Sequence, residues 1–209
     1  MTRVKPDSTE TCALLERAGA GDPQARNELL QRCQEPLHKF IDLHLDPAVR
    51  ARLGASDIVQ ETRIEVARRL DDFLRRRPMP FRLWVRKTAH ERLIEARRAH
   101  RRACRSVRRE QTLPDRSSLA LARPLLAKGP SPSQEAQARE MAALVSEAVA
   151  GLSEADRAVL LMRHAEDLPY EEIACLLDIE PAAARQRYGR ALLRLERALA
   201  RRGLLEERP

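Results

Sequence analysis

Residues 86–109 carry ten lysine and arginine side chains: Arg86, Lys87, Arg92, Arg97, Arg98, Arg101, Arg102, Arg105, Arg108 and Arg109. Two acids, Glu91 and Glu95, stand among them, and the excess of eight equals the formal net charge of the whole chain, +8. Cations at this density neutralise a polyanion, and each contact to a nucleic-acid phosphate releases condensed counterions. An anionic membrane surface would answer the same charge, and the bland alternative is a solvated helix face. Phe81 and Trp84 open the segment at i, i+3. They read either as core residues or as a platform on which an exposed base stacks.

A second set of donors lies near the C-terminus. Ala182, Arg185, Gln186, Gly189 and Arg190, with Arg187 beside them, fall on one side of a predicted helix. Arginine can reach guanine O6/N7 or a phosphate, glutamine can pair with adenine, and small residues let a helix settle into a major groove ~12 Å wide. An ordinary pair of helices with a basic solvated face gives the same pattern. In a third set, Asp57, Gln60 and Glu61 share a helix face opposite Val59. Spacing alone makes this a solvated helix start whose acids suit the helix dipole.

Enzymatic signatures are missing: there is no G-x-S-x-G, no glycine-rich phosphate loop and no H-E-x-x-H. No catalytic residue is assigned. His100 and Cys104 are spaced to share a metal, but no second pair completes the four ligands of a structural zinc, so neither metal nor cofactor is expected. Cys12, Cys33, Cys104 and Cys175 are widely spaced and read as free thiols of a reducing compartment. The N-terminus has no apolar signal core and no stretch is apolar for ~18 residues. The expectation is a cytoplasmic protein with no membrane insertion.

The elements that position these groups are helices. Ala, Leu, Glu and Arg dominate and are good helix formers, while aromatic content is only 3%, against a β-sandwich or barrel. A first helical block is predicted over 9–109. It opens with a helix carrying Leu14, Leu15 and Ala18, then a turn at Gly19 to Gly21 and a restart at Asp22-Pro23. The following helix carries Leu29 through Ile41. Ser56 is read as the cap of a long helix reaching Leu74, and the Arg77-Pro78-Met79-Pro80 loop separates it from the basic helix. Residues 110–135 hold four prolines and no helical period, the mark of a flexible linker. A second block over 136–203 places a helix with Val145 and Val149, then a capping-box-like Ser153 and Asp156. A short helix from Tyr170 and a turn at Asp178-Ile179-Glu180 lead to a long helix opened by Pro181. Ile173, Ala174 and Leu177 face inward on the short helix, and Ala184, Tyr188, Ala191 and Leu195 on the long one. That is a helix-turn-helix pattern. The fold class expected is all-α: two small helical domains joined by a flexible linker.

The segment D-I-V-Q-E at 57–61, then F-R-L-W-V at 81–85 and the arginine-rich helix, resembles region 2 of bacterial RNA polymerase sigma factors. L-S-E-A-D-R-A-V-L-L-M-R at 152–163, L-P-Y-E-E-I-A-C-L-L-D-I at 168–179 and E-P-A-A-A-R-Q-R-Y-G-R-A-L-L-R-L at 180–195 resemble region 4. The order, with one linker between, resembles the extracytoplasmic-function class. The resemblance implies that Asp57, Gln60 and Glu61 bind the β′ clamp helices of core RNA polymerase. It implies that residues 81–102 open and read the −10 element of promoter DNA, through Phe81, Trp84, Arg86, Lys87, Arg97, Arg98, Arg101 and Arg102. It assigns Arg185, Gln186, Arg187 and Arg190 to the −35 element, and it allows an anti-sigma factor as a further partner. Glu91 and Glu95 stand where the family often has Asn and Asp, Asp178 where a turn Gly is common, and Glu180 where a Ser or Thr cap is common. Two other readings of the same residues are a helix-turn-helix regulator that does not touch the polymerase clamp and a basic helical interaction scaffold.

Overall fold

A computed structural model of the chain describes residues 4–45, 47–50, 52–104, 144–145, 148–149 and 151–202, without the side chains of 47, 48, 103 and 104. Every regular element among them is a helix. The chain divides into two units with a boundary after Arg109. The expected linker at 110–135 lies outside the described residues.

The first unit begins with α1 (Thr9–Gly19) and α2 (Pro23–Arg32). Gly21, at φ 93°, takes the left-handed position that ends α1, and Asp22 N–H reaches back to Arg17 O. The Asp22 carboxylate then accepts from the N–H groups of Gln24 (2.8 Å) and Ala25 (3.3 Å), capping α2. An ion pair from Arg32 at the end of α2 to Glu10 at the start of α1 (2.7 Å) shows the two running antiparallel. The single helix expected through Leu29 and Ile41 is instead two, with α3 (Gln34–His44) starting after Cys33. The cause is Pro36, which has no N–H to give the Arg32 carbonyl and whose ring crowds it. A short α4 (Pro47–Arg50) is tied to α3 by Arg50 and Asp42 (2.9 Å).

The long helix α5 (Ala55–Arg76) starts one residue before the expected cap. Its N-cap is Gly54, not Ser56, because Asp57 folds its carboxylate back onto the Gly54 N–H at 3.0 Å. Ile58, Val59, Thr62, Val66, Leu70 and Phe73 form its buried stripe. Arg77 ends it in the left-handed conformation (φ 38°), followed by Pro78. α6 (Phe81–Cys104) then packs on α5 and α3, which also pack on each other, making the three-helix centre of this unit. α6 begins without a local side-chain cap. Its first N–H groups are taken by Asp7 instead: the carboxylate accepts from Phe81 N–H (2.6 Å) and Arg82 N–H (3.1 Å), and Arg82 donates in turn to the Lys5 carbonyl (2.7 Å). The segment before α1 therefore fastens the start of the basic helix. A carboxylate there also meets the positive end of the helix dipole.

In the second unit Val145, Ala148 and Val149 are buried ahead of α7 (Glu154–His164). Ser153 accepts from Asp156 N–H (3.2 Å), which is one half of the expected capping box. The other half is absent because the Asp156 carboxylate, 4% exposed, pairs with Arg194 instead. α8 (Tyr170–Leu177) and α9 (Pro181–Ala200) follow. Between them Asp178 takes φ 58°, and Ile179 N–H bonds Ala174 O at 3.1 Å. Aspartate thus fills the left-handed position usually given to glycine. Glu180 gives no side-chain cap, and Pro181 starts α9 in its place. α9 packs on α7 through Ala184, Ala191, Ala198 and Leu199, all buried. Of the residues expected to face inward, Ile173 and Ala174 are buried, while Leu177, Tyr188 and Leu195 are half-buried.

Candidate functional site

On α5 the residues opposite the buried stripe are open. Asp57, Gln60 and Glu61 are exposed, and one turn further Ile64 is 61% exposed on the same face. Sequence reasoning missed Ile64. The available signal was an isoleucine at i+4 from Gln60 and i+3 from Glu61, out of register with the Val59 stripe. A large apolar side chain ringed by polar groups is the composition of a protein interface centre with its rim. Asp57 has a structural duty as well, through its bond to Gly54 N–H.

The residues proposed for α6 separate into two groups. Phe81 and Trp84 are core: they are 2% and 6% exposed and form one aromatic cluster with Phe73. The ring centroids lie 4.5 Å (Phe73 to Trp84), 5.4 Å (Phe73 to Phe81) and 5.8 Å (Phe81 to Trp84) apart. A base could stack on them only if the cluster opened, so the stacking platform gives way to the core reading. Arg97 is buried too, and its guanidinium donates to the His44 carbonyl. Its place was legible, since Arg97 continues the buried Val85, Ala89, Leu93 row in steps of four. Arg86 is half-buried with its guanidinium 5.9 Å from the Phe40 ring centre, and Lys87 is half-buried. Arg98, Arg101 and Arg102 are exposed and share one face at i, i+3, i+4. The two acids within the basic run are held in ion pairs, Glu91 with Arg69 (3.2 Å) and Glu95 with Arg92 (2.9 Å).

Arg97 and His44 surround His90, whose Nε2 is buried with no hydrogen-bond partner in the protein. Burial first, then the charges of His44 and Arg97, push its pKa down to about 4. Unfolded histidine titrates near 6.5. Between these values the unfolded chain binds a proton that the fold refuses, so this contribution is intact above pH 6.5 and is lost as pH falls toward 4. The loss is up to about 3 kcal/mol. Urea unfolding of the intact protein at pH 7.5 and 4.5 checks this. His90→Leu will lose clearly less stability over that interval, and an equal loss in both proteins would refute the assignment.

On α9, Ala182, Arg185, Gln186 and Arg190 are exposed, and Arg187 and Gly189 are half-buried. A Cβ at Gly189 would meet nothing within 4 Å. Packing therefore does not require glycine there, although it weakens a helix by about 1 kcal/mol relative to alanine. The outward half of α9 is thus low and basic. It is flanked by a ring cluster: Tyr170 lies 5.8 Å from Tyr188, and the Tyr188 hydroxyl lies 2.8 Å from His164 Nε2. Partial burial holds His164 below and Tyr188 above their ordinary pKa ranges.

Among the described residues Cys12, Cys33 and Cys175 stand outside any disulfide. Burial, reinforced by the Asp7 carboxylate, pushes the Cys33 pKa up to about 12, which makes that thiol inert.

Comparison with known proteins bears on these surfaces. The family description "Sigma-70 region 2" matches residues 37–103, and "Sigma-70, region 4" matches residues 142–195. No curated protein matches the chain. Among solved structures, it is similar to a chain in the structure of CnrH in complex with the cytosolic domain of CnrY. The two are 21% identical, over 90% of this chain and 96% of that one, with a TM-score of 0.56, a likeness of fold. The two matched regions stand in order and take up the basic helix and the helix-turn-helix. The chain belongs to the sigma-70 family of RNA polymerase sigma factors, in the two-region form of the extracytoplasmic-function class.

Proposed function

We propose a division of labour among three helix faces for this initiation factor, which binds core polymerase and promoter DNA. Asp57, Gln60, Glu61 and Ile64 on α5 bind the β′ clamp helices. Arg98, Arg101 and Arg102, with Arg86 and Lys87 nearer the start of α6, hold the −10 side of the promoter. Arg185, Gln186, Arg187 and Arg190 on α9 read the −35 side. The observation that carries this reading is the openness of α9: its basic N-terminal half is exposed while its other side is buried on α7. Such a helix fits a major groove. Phe81, Trp84 and Arg97 act in this reading by holding α6, not by touching DNA.

Sigma factors are non-enzymatic, and no catalytic role is assigned to any residue. The factor works in the cytoplasm, where core polymerase is found; no helix among the described residues is long and apolar enough to cross a membrane. The 26 residues of 110–135 would tether the two blocks. Fully extended they span up to ~86 Å at ~3.3 Å each, and a coiled chain spans less. An anti-sigma protein is a further partner in this reading, supported by the complex of CnrH with the cytosolic domain of CnrY.

Transcription in vitro with core polymerase, with and without the protein, tests the whole reading. Alanine at Arg185, Gln186 or Arg190 tests the upstream part. A residue making a bidentate base contact will cost about 1–3 kcal/mol and relax preference at one upstream position. A uniform loss over all sequences would mark that residue as a phosphate contact. Unchanged affinity and preference in all three variants would refute the assignment.

A further inference from the structure

We propose that Tyr170 is a positioning residue for upstream-element recognition: its ring holds the Arg185 guanidinium in place before DNA arrives. This deepens the reading of α9 and rests on it. Arg185 is exposed on the first turns of α9, and its guanidinium carbon lies 5.2 Å from the centre of the Tyr170 ring, the first residue of α8. The ring is itself held from two other sides. Arg163, on α7, places its guanidinium 5.4 Å from the same ring centre and donates from Nη1 to the Leu168 carbonyl (3.2 Å), two residues before Tyr170. Tyr188, one turn beyond Arg185, meets the ring edge-on at 5.8 Å and is fixed by the 2.8 Å contact of its hydroxyl with His164. Tyr170 is thus restrained from α7 and from α9, and Arg185 rests on a surface that does not swing.

The physical consequence is preorganisation. An exposed arginine samples many rotamers, and a bidentate contact to one base needs a single plane and reach. A cation over a tyrosine face is attracted to the ring quadrupole, and the flat guanidinium aligns with it. The ordering is then complete before the base contact forms, so the ring sets specificity without touching the base. The effect of an exposed pair of this kind is about twofold to fivefold in binding.

The test uses holoenzyme and a promoter fragment selected by the wild-type holoenzyme from a library randomised over the upstream element. Affinity is measured for every single-base variant of that element. Tyr170→Leu will flatten preference about twofold to fivefold at the same base that Arg185→Ala flattens. Tyr170→Phe, which keeps the ring face, will retain the preference. The Tyr170→Leu/Arg185→Ala double variant will be no worse at that base than Arg185→Ala alone. Additive losses, or a uniform loss across all bases, overturn the proposal. If Arg185→Ala leaves every preference intact, the proposal falls, and the reading of α9 falls with it only where Gln186→Ala and Arg190→Ala are silent as well; if Arg185→Ala flattens one base and the Tyr170→Leu loss is additive, only the proposal falls. A second measurement does not depend on how Tyr170→Leu folds. In the free wild-type protein the Arg185 side-chain protons will show ring-current shifts in NMR, kept in Tyr170→Phe. Their absence overturns the proposal as well.

Discussion

Glu61→Lys combined with Ile64→Asp will abolish stable association with core RNA polymerase while leaving the protein folded. Both residues are exposed on the open face of α5, and neither lies on the stripe that packs against the rest of the unit. Asp57 would be a less clean target. Its carboxylate accepts from Gly54 N–H at 3.0 Å, so truncating it also removes a helix cap, at about 1 kcal/mol. Ile64 is the apolar centre of the face, and residues in such positions carry 2 kcal/mol or roughly more when lost from a desolvated interface. Introducing a charge there adds desolvation, and reversing Glu61 adds repulsion if the partner surface is basic. Together these weaken binding by about 100-fold at least. Pull-down with core polymerase reads the binding, and far-ultraviolet circular dichroism reads the fold. A folded double variant that binds core polymerase as well as wild type would end the assignment of this face.

The helices that place the candidate faces were legible because their signals are local. Apolar period, the Asp22-Pro23 start, the Arg77-Pro80 break and the Asp178-Ile179-Glu180 turn each act within a few residues. The expectations that needed revision involved competition for one group. Asp57 prefers the Gly54 N–H, which moves the start of α5 off Ser56. Asp156 prefers Arg194 to its own capping box, because a buried carboxylate needs a cation more than a second backbone donor. Pro36 is a local signal as well, and it breaks the helix one turn earlier, at Cys33.

Contacts distant in sequence were not legible. The bonds from Asp7 to Phe81 and Arg82 span 74 and 75 residues, and nothing in P-D-S at positions 6–8 points to them. The basic run carried a subtler ambiguity. Charge counting treats Arg97 and Arg98 alike, yet a rotation of 100° puts one against His44 and the other in solvent. Charge density gives the partner class of a helix, and the apolar row beneath it decides which of its arginines are available. The Tyr170, Arg163 and Arg185 cluster is of the same kind: it joins three helices, and no spacing in one of them announces it.

Trp84→Ala will unfold the first unit at ordinary temperatures or bring it close to unfolding, and polymerase binding and promoter binding will be lost together. Trp84 is stacked on Phe73 at 4.5 Å and lies near Phe81, at the junction where α5 ends and α6 begins. Truncating a buried tryptophan costs about 3–5 kcal/mol from lost burial and the cavity left behind. Small domains have about 5–15 kcal/mol in all, and in a unit of this size each kcal/mol lowers the melting temperature by about 4–8 °C. The expected fall is on the order of 20 °C. Trp84→Phe keeps a ring against Phe73 and will fall far less. The two readings of this tryptophan then part cleanly. A residue that stacks on an exposed base would, when truncated, leave melting and core binding unchanged and impair only the opening of promoter DNA. A core residue takes all three down, because the cluster holds the C-terminal end of α5 against the N-terminal end of α6, and the unit that carries both proposed faces does not survive its loss. Calorimetry, core-polymerase pull-down and permanganate footprinting of melted promoter DNA on the same two variants decide between them. A Trp84→Ala protein that melts within a degree or two of wild type, yet fails to open the promoter, would return Trp84 to the DNA interface.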